Sequence, residues 1–105
     1  MDRSQPLTEA LFYILLAARK PVHGYGIIQE VAEMTGGRVN LGPGTLYGAI
    51  NVLLDRGWIV LYSAEMGSRR KKEYVITDQG RAAFAGELRR LWELVSNGGK
   101  MEDET

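Results

Sequence analysis

Four of the 13 basic residues are consecutive, at Arg69-Arg70-Lys71-Lys72, and phosphate is the group that such a cluster binds best. Arginine holds a phosphate through a forked pair of hydrogen bonds or enters a minor groove, while lysine contributes mainly charge. The cluster follows Gly67-Ser68, a turn sequence between two runs rich in aromatic and branched residues. A second interpretation is a solvated basic turn that only discourages edge-to-edge aggregation.

A second group of polar residues lies on a short predicted helix that precedes this cluster. The hydroxyls of Thr45 and Tyr47 are able to donate to phosphates, and Asn51 is able to reach a base edge or a phosphate. Gly44 and Gly48 remove side-chain bulk from the same face, which allows close approach to another surface. In the alternative interpretation, Tyr47 packs at the edge of the core and the glycines only permit helices to cross.

A third candidate is the start of another predicted helix, at His23-Gly24-Tyr25. Free N–H groups at a helix N-terminus bind anions, so Tyr25 and the neighbouring backbone are candidates for a phosphate contact. His23 is expected to cap or pack rather than to catalyse. With one histidine and no cysteine, we expect no metal site and no cofactor. No nucleophile–base pair, phosphate loop or carboxylate dyad has a usable spacing, so we expect no enzyme.

The periodicity of apolar residues indicates the elements that position these groups. Predicted helices end at Pro21, Gly36-Gly37 and Gly57, and Thr77 is the expected N-cap of a last helix. The fold class is mainly α with a small β-hairpin, a winged helix-turn-helix plus a C-terminal dimerisation helix. The predicted parts are a DNA-binding domain at 1–77, a dimerisation helix at 78–97 and a disordered tail at 98–105, with a hairpin that pairs 58–64 with 73–77.

The first and last helices carry more apolar residues than a three-helix domain can bury. We therefore expect a homodimer. Trp92 is either ordinary interface packing or, with its symmetry mate, a platform for a small flat aromatic effector. The residues assigned to the dimer interface are Phe12, Leu16, Phe84, Leu88, Leu91, Trp92 and Val95.

The formal net charge is zero, which is unusual for a protein that binds a polyanion. Three acidic residues, at 102 to 104, lie in the predicted tail, so a local basic patch remains compatible with overall neutrality. The apolar run from Leu11 to Ala18 is too short to span a bilayer, and no signal-peptide cleavage pattern follows it. We expect a cytoplasmic protein without a membrane partner.

Three motifs, in order and at the right spacing, strongly resemble the PadR family over residues 7 to about 80. The resemblance implies a prokaryotic, homodimeric, winged-helix transcriptional regulator, usually a repressor, with recognition residues at Tyr25, Thr45, Tyr47 and the basic cluster. The motifs are His23-Gly24-Tyr25-x-Ile27, Gly42-Pro43-Gly44-Thr45-Leu46-Tyr47 and Gly67-Ser68-Arg69-Arg70-Lys71-Lys72-x-Tyr74-x-Ile76-Thr77-x-x-Gly80.

The chain departs from the family pattern at Gly26, where many members have glutamate, and at Asn51-Val52, where a basic pair is common. Its C-terminal region is a single predicted helix, which is similar to the short, multidrug-sensing members. That departure favours an effector pocket at the dimer interface over phenolic-acid sensing.

These features predict a sequence-specific transcriptional repressor that binds double-stranded DNA at a pseudo-palindromic operator and is released by a small aromatic ligand. The alternative is a winged-helix adaptor that binds another protein. Zero net charge and the absent basic pair at positions 51 and 52 favour that alternative.

Overall fold

The computed structural model describes residues 6–64 and 72–104. Within them, helices and strands alternate in the order of a winged helix-turn-helix followed by one long helix, as the sequence predicts. The elements are α1 (Glu9–Ala17), β1 (Val22–His23), α2 (Gly24–Met34), α3 (Pro43–Asp55), β2 (Ile59–Ala64), β3 (Lys72–Ile76) and α4 (Asp78–Asp103).

The sheet has three antiparallel strands in the order β1-β3-β2. The hairpin register opposes Ile59 to Ile76, which confirms the predicted pairing of the two runs. Lys72 opposes Ala64 and begins β3, one residue before the predicted start of that strand at position 73. We call β2, β3 and the residues between them the wing.

One hydrophobic core lies between the sheet and the first three helices. Each helix contributes side chains that lie on one face, because apolar residues three and four apart share a helix face. Tyr74 on the central strand adds an aromatic ring that is 6% exposed. The largest fully buried side chains are Ile14, Leu15, Ile27, Val31, Leu46, Ile50, Leu53 and Ile59.

Thr77 joins the wing to the two helices on either side of it. Its hydroxyl donates to the Gly57 carbonyl at 2.7 Å and accepts from the Gly80 amide at 3.0 Å, which is the predicted N-cap of α4. Its own amide donates to the Trp58 carbonyl at 3.0 Å. One residue therefore ties the end of α3, the start of β2 and the start of α4 together.

Two neighbouring contacts reinforce this junction. The Ile76 amide donates to the Ala18 carbonyl at 2.8 Å, which connects the end of β3 to the end of α1. Gly80 lies against the Trp58 backbone so closely that a β-carbon there would overlap the Trp58 carbonyl. The glycine of the Thr77-x-x-Gly80 motif is thus required by a close backbone approach.

The first part of α4 packs on α1 of the same chain. The rings of Phe12 and Phe84, both assigned from the sequence to a second subunit, stack with centroids 4.6 Å apart and planes inclined by 30°. Since α1 of the same chain covers this end of the apolar stripe in part, the assignment of both rings to the dimer interface stays a prediction. The sequence pattern identified the stripe correctly but gave no register between α1 and α4.

Glu87 is a buried charged residue on α4, with 7% exposure. Arg90 binds its carboxylate with two hydrogen bonds, at 2.9 and 2.7 Å, and the Leu7 amide donates to it at 3.3 Å. These hydrogen bonds, those from Arg90 foremost, hold the pKa of Glu87 below its ordinary value although burial opposes them. The carboxylate thereby connects the segment before α1 to α4.

The far end of α4 differs from the prediction of a disordered tail from residue 98. The helix continues through Gly98-Gly99 to Asp103. Each glycine weakens a helix interior by about 1 kcal/mol relative to alanine, yet a helix already formed adds a hydrogen bond with each further residue. Lys100 in the last turn also interacts favourably with the negative end of the helix. Thr105 lies outside the described residues.

Candidate nucleic-acid interface

Helix α3 has one buried face and one open face. Leu46, Ile50 and Leu53 are buried, whereas Thr45 and Asn51 are exposed on the other side. A β-carbon added at Gly44 or at Gly48 would meet no atom within 4 Å. The open face is therefore small and polar, and a flat or grooved surface is able to approach its backbone closely.

A recess of about 620 Å³ lies beside this face, where α2, α3 and β3 meet. It brings together Tyr25 from α2, Tyr47 and Asn51 from α3, and Lys72 from the wing. Four residues assigned to binding from the sequence thus share one surface. The lining residues are His23, Gly24, Tyr25, Tyr47, Ile50, Asn51, Lys72 and Tyr74.

Two of the tyrosines that line the recess are largely exposed. Tyr25 is 64% exposed and Tyr47 is 48% exposed, so neither ring belongs to the core. The alternative in which Tyr47 packs at the core edge holds for the hydroxyl end of its side chain, which lies over Gly24. Both hydroxyls are neutral donors, and together with the Lys72 ammonium they suit an anionic group in the recess.

His23 has the capping role expected of it. Its Nδ1 accepts a hydrogen bond from the Gly26 amide at 3.2 Å, which makes it the N-cap of α2. The imidazole therefore supplies a hydrogen-bond acceptor to the first turn of α2. The side chain directs the first turn of α2, with Tyr25, towards the recess.

Tyr74 forms the buried wall of the recess, and the sequence analysis did not single it out as a site residue. It opposes Val22 on β1 and Leu61 on β2, which fixes its backbone from both sides. Burial, and to a smaller extent the nearby Tyr47, raise the pKa of its hydroxyl. The spacing of the third motif predicted that Tyr74 lies on a strand. Tyr74 lies beside α2 because β3 also pairs with β1, a strand that the sequence did not predict.

The wing is described only in part. Lys72 is exposed at the first position of β3 and lines the recess. Arg69, Arg70 and Lys71, which the sequence assigns to phosphate binding, lie outside the described residues. Among the residues that the structure describes, no three histidine or acidic side chains are grouped as metal ligands.

A second candidate surface is the apolar face of α4, which we define by Leu88, Leu91, Trp92 and Val95. Trp92 and Val95 are each 64% exposed, and Leu88 is 37% exposed. Leu16 on α1 is half-buried. The part of the predicted dimer interface that α1 does not cover is thus open along the helix.

These features define the class of the protein: a winged helix-turn-helix with a single C-terminal helix and a polar recess beside its third helix. The model of the transcriptional regulator PadR-like family matches residues 13–86. The chain belongs to this family, and the resemblance inferred from the three motifs is confirmed. The family consists of transcriptional regulators, which agrees with the prediction that the chain is not an enzyme.

Individual relatives are distant. The transcriptional regulator YqjI of Escherichia coli K12 is 29% identical over 80 residues, which are 76% of this chain and 37% of that protein. The chain thus spans little more than a third of the length of the curated relatives that it matches.

Solved structures share the fold over most of the chain. A PadR family transcriptional regulator from Eggerthella lenta is similar with a TM-score of 0.73 and 24% identity, covering 91% of this chain and 82% of that one. PadR of Bacillus subtilis, in complex with operator DNA, is similar with a TM-score of 0.68 and 26% identity, covering 80% and 48%. Within residues 6–64 and 72–104, no helix has the length and apolarity needed to cross a membrane.

Proposed function

We propose that this regulator is a cytoplasmic repressor that binds double-stranded DNA as a homodimer. The observation that carries the proposal is the recess at which Tyr25, Tyr47, Asn51 and Lys72 meet beside the open face of α3. A phosphate in this recess would accept hydrogen bonds from neutral hydroxyls and an ammonium, and α3 would lie alongside the bases. The similarity to Bacillus subtilis PadR, which is described in complex with operator DNA, supports the same partner.

Each exposed residue of this interface is assigned its own contact with DNA. Asn51 reads a base edge, and Thr45 and Tyr47 contact phosphates. Gly44 and Gly48 admit the DNA backbone close to α3, where open space surrounds their α-carbons. Arg69, Arg70 and Lys71 add phosphate contacts from the wing, together with Lys72.

The proposed dimer forms through the apolar face of α4 and the adjoining part of α1. Exposed Trp92 and Val95 require a cover, because a contiguous apolar surface of this kind marks an interaction site. Twofold symmetry would place two α3 helices on one side of a duplex, about 34 Å apart, on a pseudo-palindromic operator. The two Trp92 side chains would then flank a site for a small flat aromatic effector. An effector that binds best to a dimer with the wrong helix spacing would release the DNA.

The direct experiment is selection of bound sequences from a random DNA pool with the purified chain, followed by affinity measurements at several salt concentrations. We expect two inverted half-sites and a log–log salt dependence with a negative slope. Lys72→Ala should reduce the magnitude of this slope by about 1.8 for the dimer, because each of the two subunits loses one phosphate-bound cation, at about 0.9 each. Lys100→Ala, which removes the same charge from the last turn of α4, is the matched control.

Absence of binding at low salt would overturn the proposal. So would binding that does not depend on salt, because phosphate contacts always release counterions. An equal effect of Lys72→Ala and Lys100→Ala would leave the recess without a specific role and would contradict the placement of the DNA.

A second candidate function is protein binding through the wing. Three consecutive residues on the edge strand β2, Val60, Leu61 and Tyr62, are large, apolar and exposed. A partner that survives nuclease treatment, and that is lost when Tyr62 is replaced by Ser, would favour the adaptor. DNA selection with no enriched sequence would favour it as well.

A further inference from the structure

The end of the Tyr47 side chain lies where α2 has no side chain, at Gly24. Gly24 is the first residue of α2 and is buried, and a β-carbon there would overlap the Tyr47 hydroxyl. The same β-carbon would lie 3.0 Å from Cζ of Tyr47 and 3.2 Å from Cδ2 of Leu46. Only a residue without a side chain leaves room for the phenol at this point.

On the wing side, Tyr74 closes the same space. It lines the recess with Tyr47 and Gly24, is 6% exposed and occupies the central strand of the sheet. Burial, and after it the nearby Tyr47, raise the pKa of the Tyr74 hydroxyl. A ring held on both sides by paired strands forms a firm wall, whereas the phenol of Tyr47 itself is half exposed.

We propose that Gly24 and Tyr74 are positioning residues that together seat the Tyr47 hydroxyl at the recess, Gly24 by leaving a gap beneath the phenol and Tyr74 by forming its wall. The inference rests on the proposed function, in which this hydroxyl contacts a DNA phosphate. In this arrangement, residues of α2, α3 and the wing meet at the phenol of Tyr47. The glycine of the His23-Gly24-Tyr25 motif thereby acts through a residue of the Thr45-Leu46-Tyr47 motif.

The test begins with Gly24→Ala. Gly24 has helical backbone, so alanine is compatible with the conformation and favours the helix. The atoms that a new methyl group would meet are the ends of side chains, which are able to move. We expect the melting temperature to be equal or higher while DNA affinity falls about tenfold, because a hydrogen bond to a charged phosphate is lost. A merely structural role would lower stability and affinity together.

A double-mutant cycle assigns this loss to Tyr47. In a Tyr47→Ala background the phenol is absent, so Gly24→Ala should change the affinity by no more than about twofold. Gly86→Ala is the matched control, since the nearest atom to its new β-carbon is Nη2 of Arg89 at 3.9 Å, and it should bind DNA like the wild type. A full affinity loss on adding Gly24→Ala to Tyr47→Ala would overturn the seat.

Tyr74 is tested by comparing two substitutions of its ring. Tyr74→Phe keeps the wall and should retain the position of Tyr47, whereas Tyr74→Leu removes the flat surface and should release it. The readout is the nuclear Overhauser effect between the Tyr47 ring and the α-protons of residue 24, which needs no DNA. We expect it in the wild type and in Tyr74→Phe, and its loss in Tyr74→Leu.

The two hypotheses fail in different ways. If no variant binds DNA while the nuclear Overhauser effects follow the expected pattern, the proposed function is wrong and the seat stands. If the wild type binds DNA but lacks the Tyr47 effect, or if Tyr74→Leu keeps it, the positioning proposal is wrong and the proposed function stands.

Discussion

The Thr77 hydroxyl donates to the Gly57 carbonyl across 20 positions of sequence, at 2.7 Å. Gly57 ends the turn after α3 with a φ of 74°, and Thr77 caps α4. The contact therefore joins the end of the proposed recognition helix to the start of the proposed dimerisation helix. The helix proposed to carry the partner subunit and the helix proposed to approach DNA are thus held together at a single side chain.

Loss of this hydroxyl should destabilise the domain. Thr77→Ala removes both the cap of α4 and the bond to Gly57, and we expect the free energy of unfolding to fall by about 1–2 kcal/mol. Urea denaturation followed by circular dichroism measures the change. Thr77→Ser keeps the hydroxyl and should stay close to the wild type, so equal losses in both variants would refute the role of the hydrogen bonds.

Gly80 should tolerate no side chain. Its β-carbon would overlap the Trp58 carbonyl, which is backbone and cannot move aside as a side chain does. We expect Gly80→Ala to lower the free energy of unfolding by about 1–3 kcal/mol, as overpacking does elsewhere. Gly86→Ala on the same helix serves as the control and should be neutral or stabilising. A Gly80→Ala protein as stable as Gly86→Ala would show that the backbone approach is not required.

Stability should depend on the protonation of Glu87. Its carboxyl pKa is lower in the folded chain than in the unfolded chain, mainly because Arg90 hydrogen-bonds the charged form. The resulting stabilisation is present above the unfolded pKa, about 4.3, and is lost as the pH falls through the folded pKa. Urea midpoints measured between pH 3 and pH 7 should therefore decline at acidic pH, and less steeply in Glu87→Gln. Glu93→Gln, at an exposed position of α4, should follow the wild-type curve. Parallel curves for wild type and Glu87→Gln would contradict the assignment.

If the chain is a dimer as proposed, a charge on the apolar face of α4 should lower the mass of the particle in solution. Val95→Glu places a charge on the apolar face of α4 and should shift the chain from dimer to monomer in analytical ultracentrifugation, since burying an unpaired charge is unfavourable. Glu93→Lys changes the charge of the same helix away from this face and should leave the mass unchanged. A wild-type monomer at micromolar concentration would rule out the dimer as proposed.

Much of the fold followed from local patterns in the sequence. The N-cap Thr77, the proline at the start of α3 and the paired aromatic and branched runs of the wing each placed an element correctly. Strand β1 was missed because two residues carry no periodicity, and only pairing with Tyr74 and Glu73 defines it. The extension of α4 was missed because Gly98-Gly99 opposes a helix locally.

The relative positions of the helices and strands could not be predicted from the sequence. The residues of the recess were proposed individually, but their meeting point depends on how α2 crosses α3 and where β3 lies. Tyr74 was therefore counted only as part of a strand, and Gly24 only as part of a motif. For the same reason the sequence did not show that Phe12 and Phe84, both assigned to the dimer interface, pack on each other within one chain.

Because hydrogen bonds anchor the start of α4, the length of this helix determines how far a tilt displaces its other end. The helix has 26 residues and, at 1.5 Å per residue, is about 39 Å long. The start of α4 is connected through Thr77 to Gly57 and Trp58. We therefore expect a tilt of α4 to rotate the winged helix-turn-helix with it. A tilt of about 5° over this length displaces the far end by about 3 Å, roughly the rise of one base pair. In the proposed dimer, a small rearrangement between the two α4 helices is therefore enough to change the spacing of the two α3 helices along the duplex.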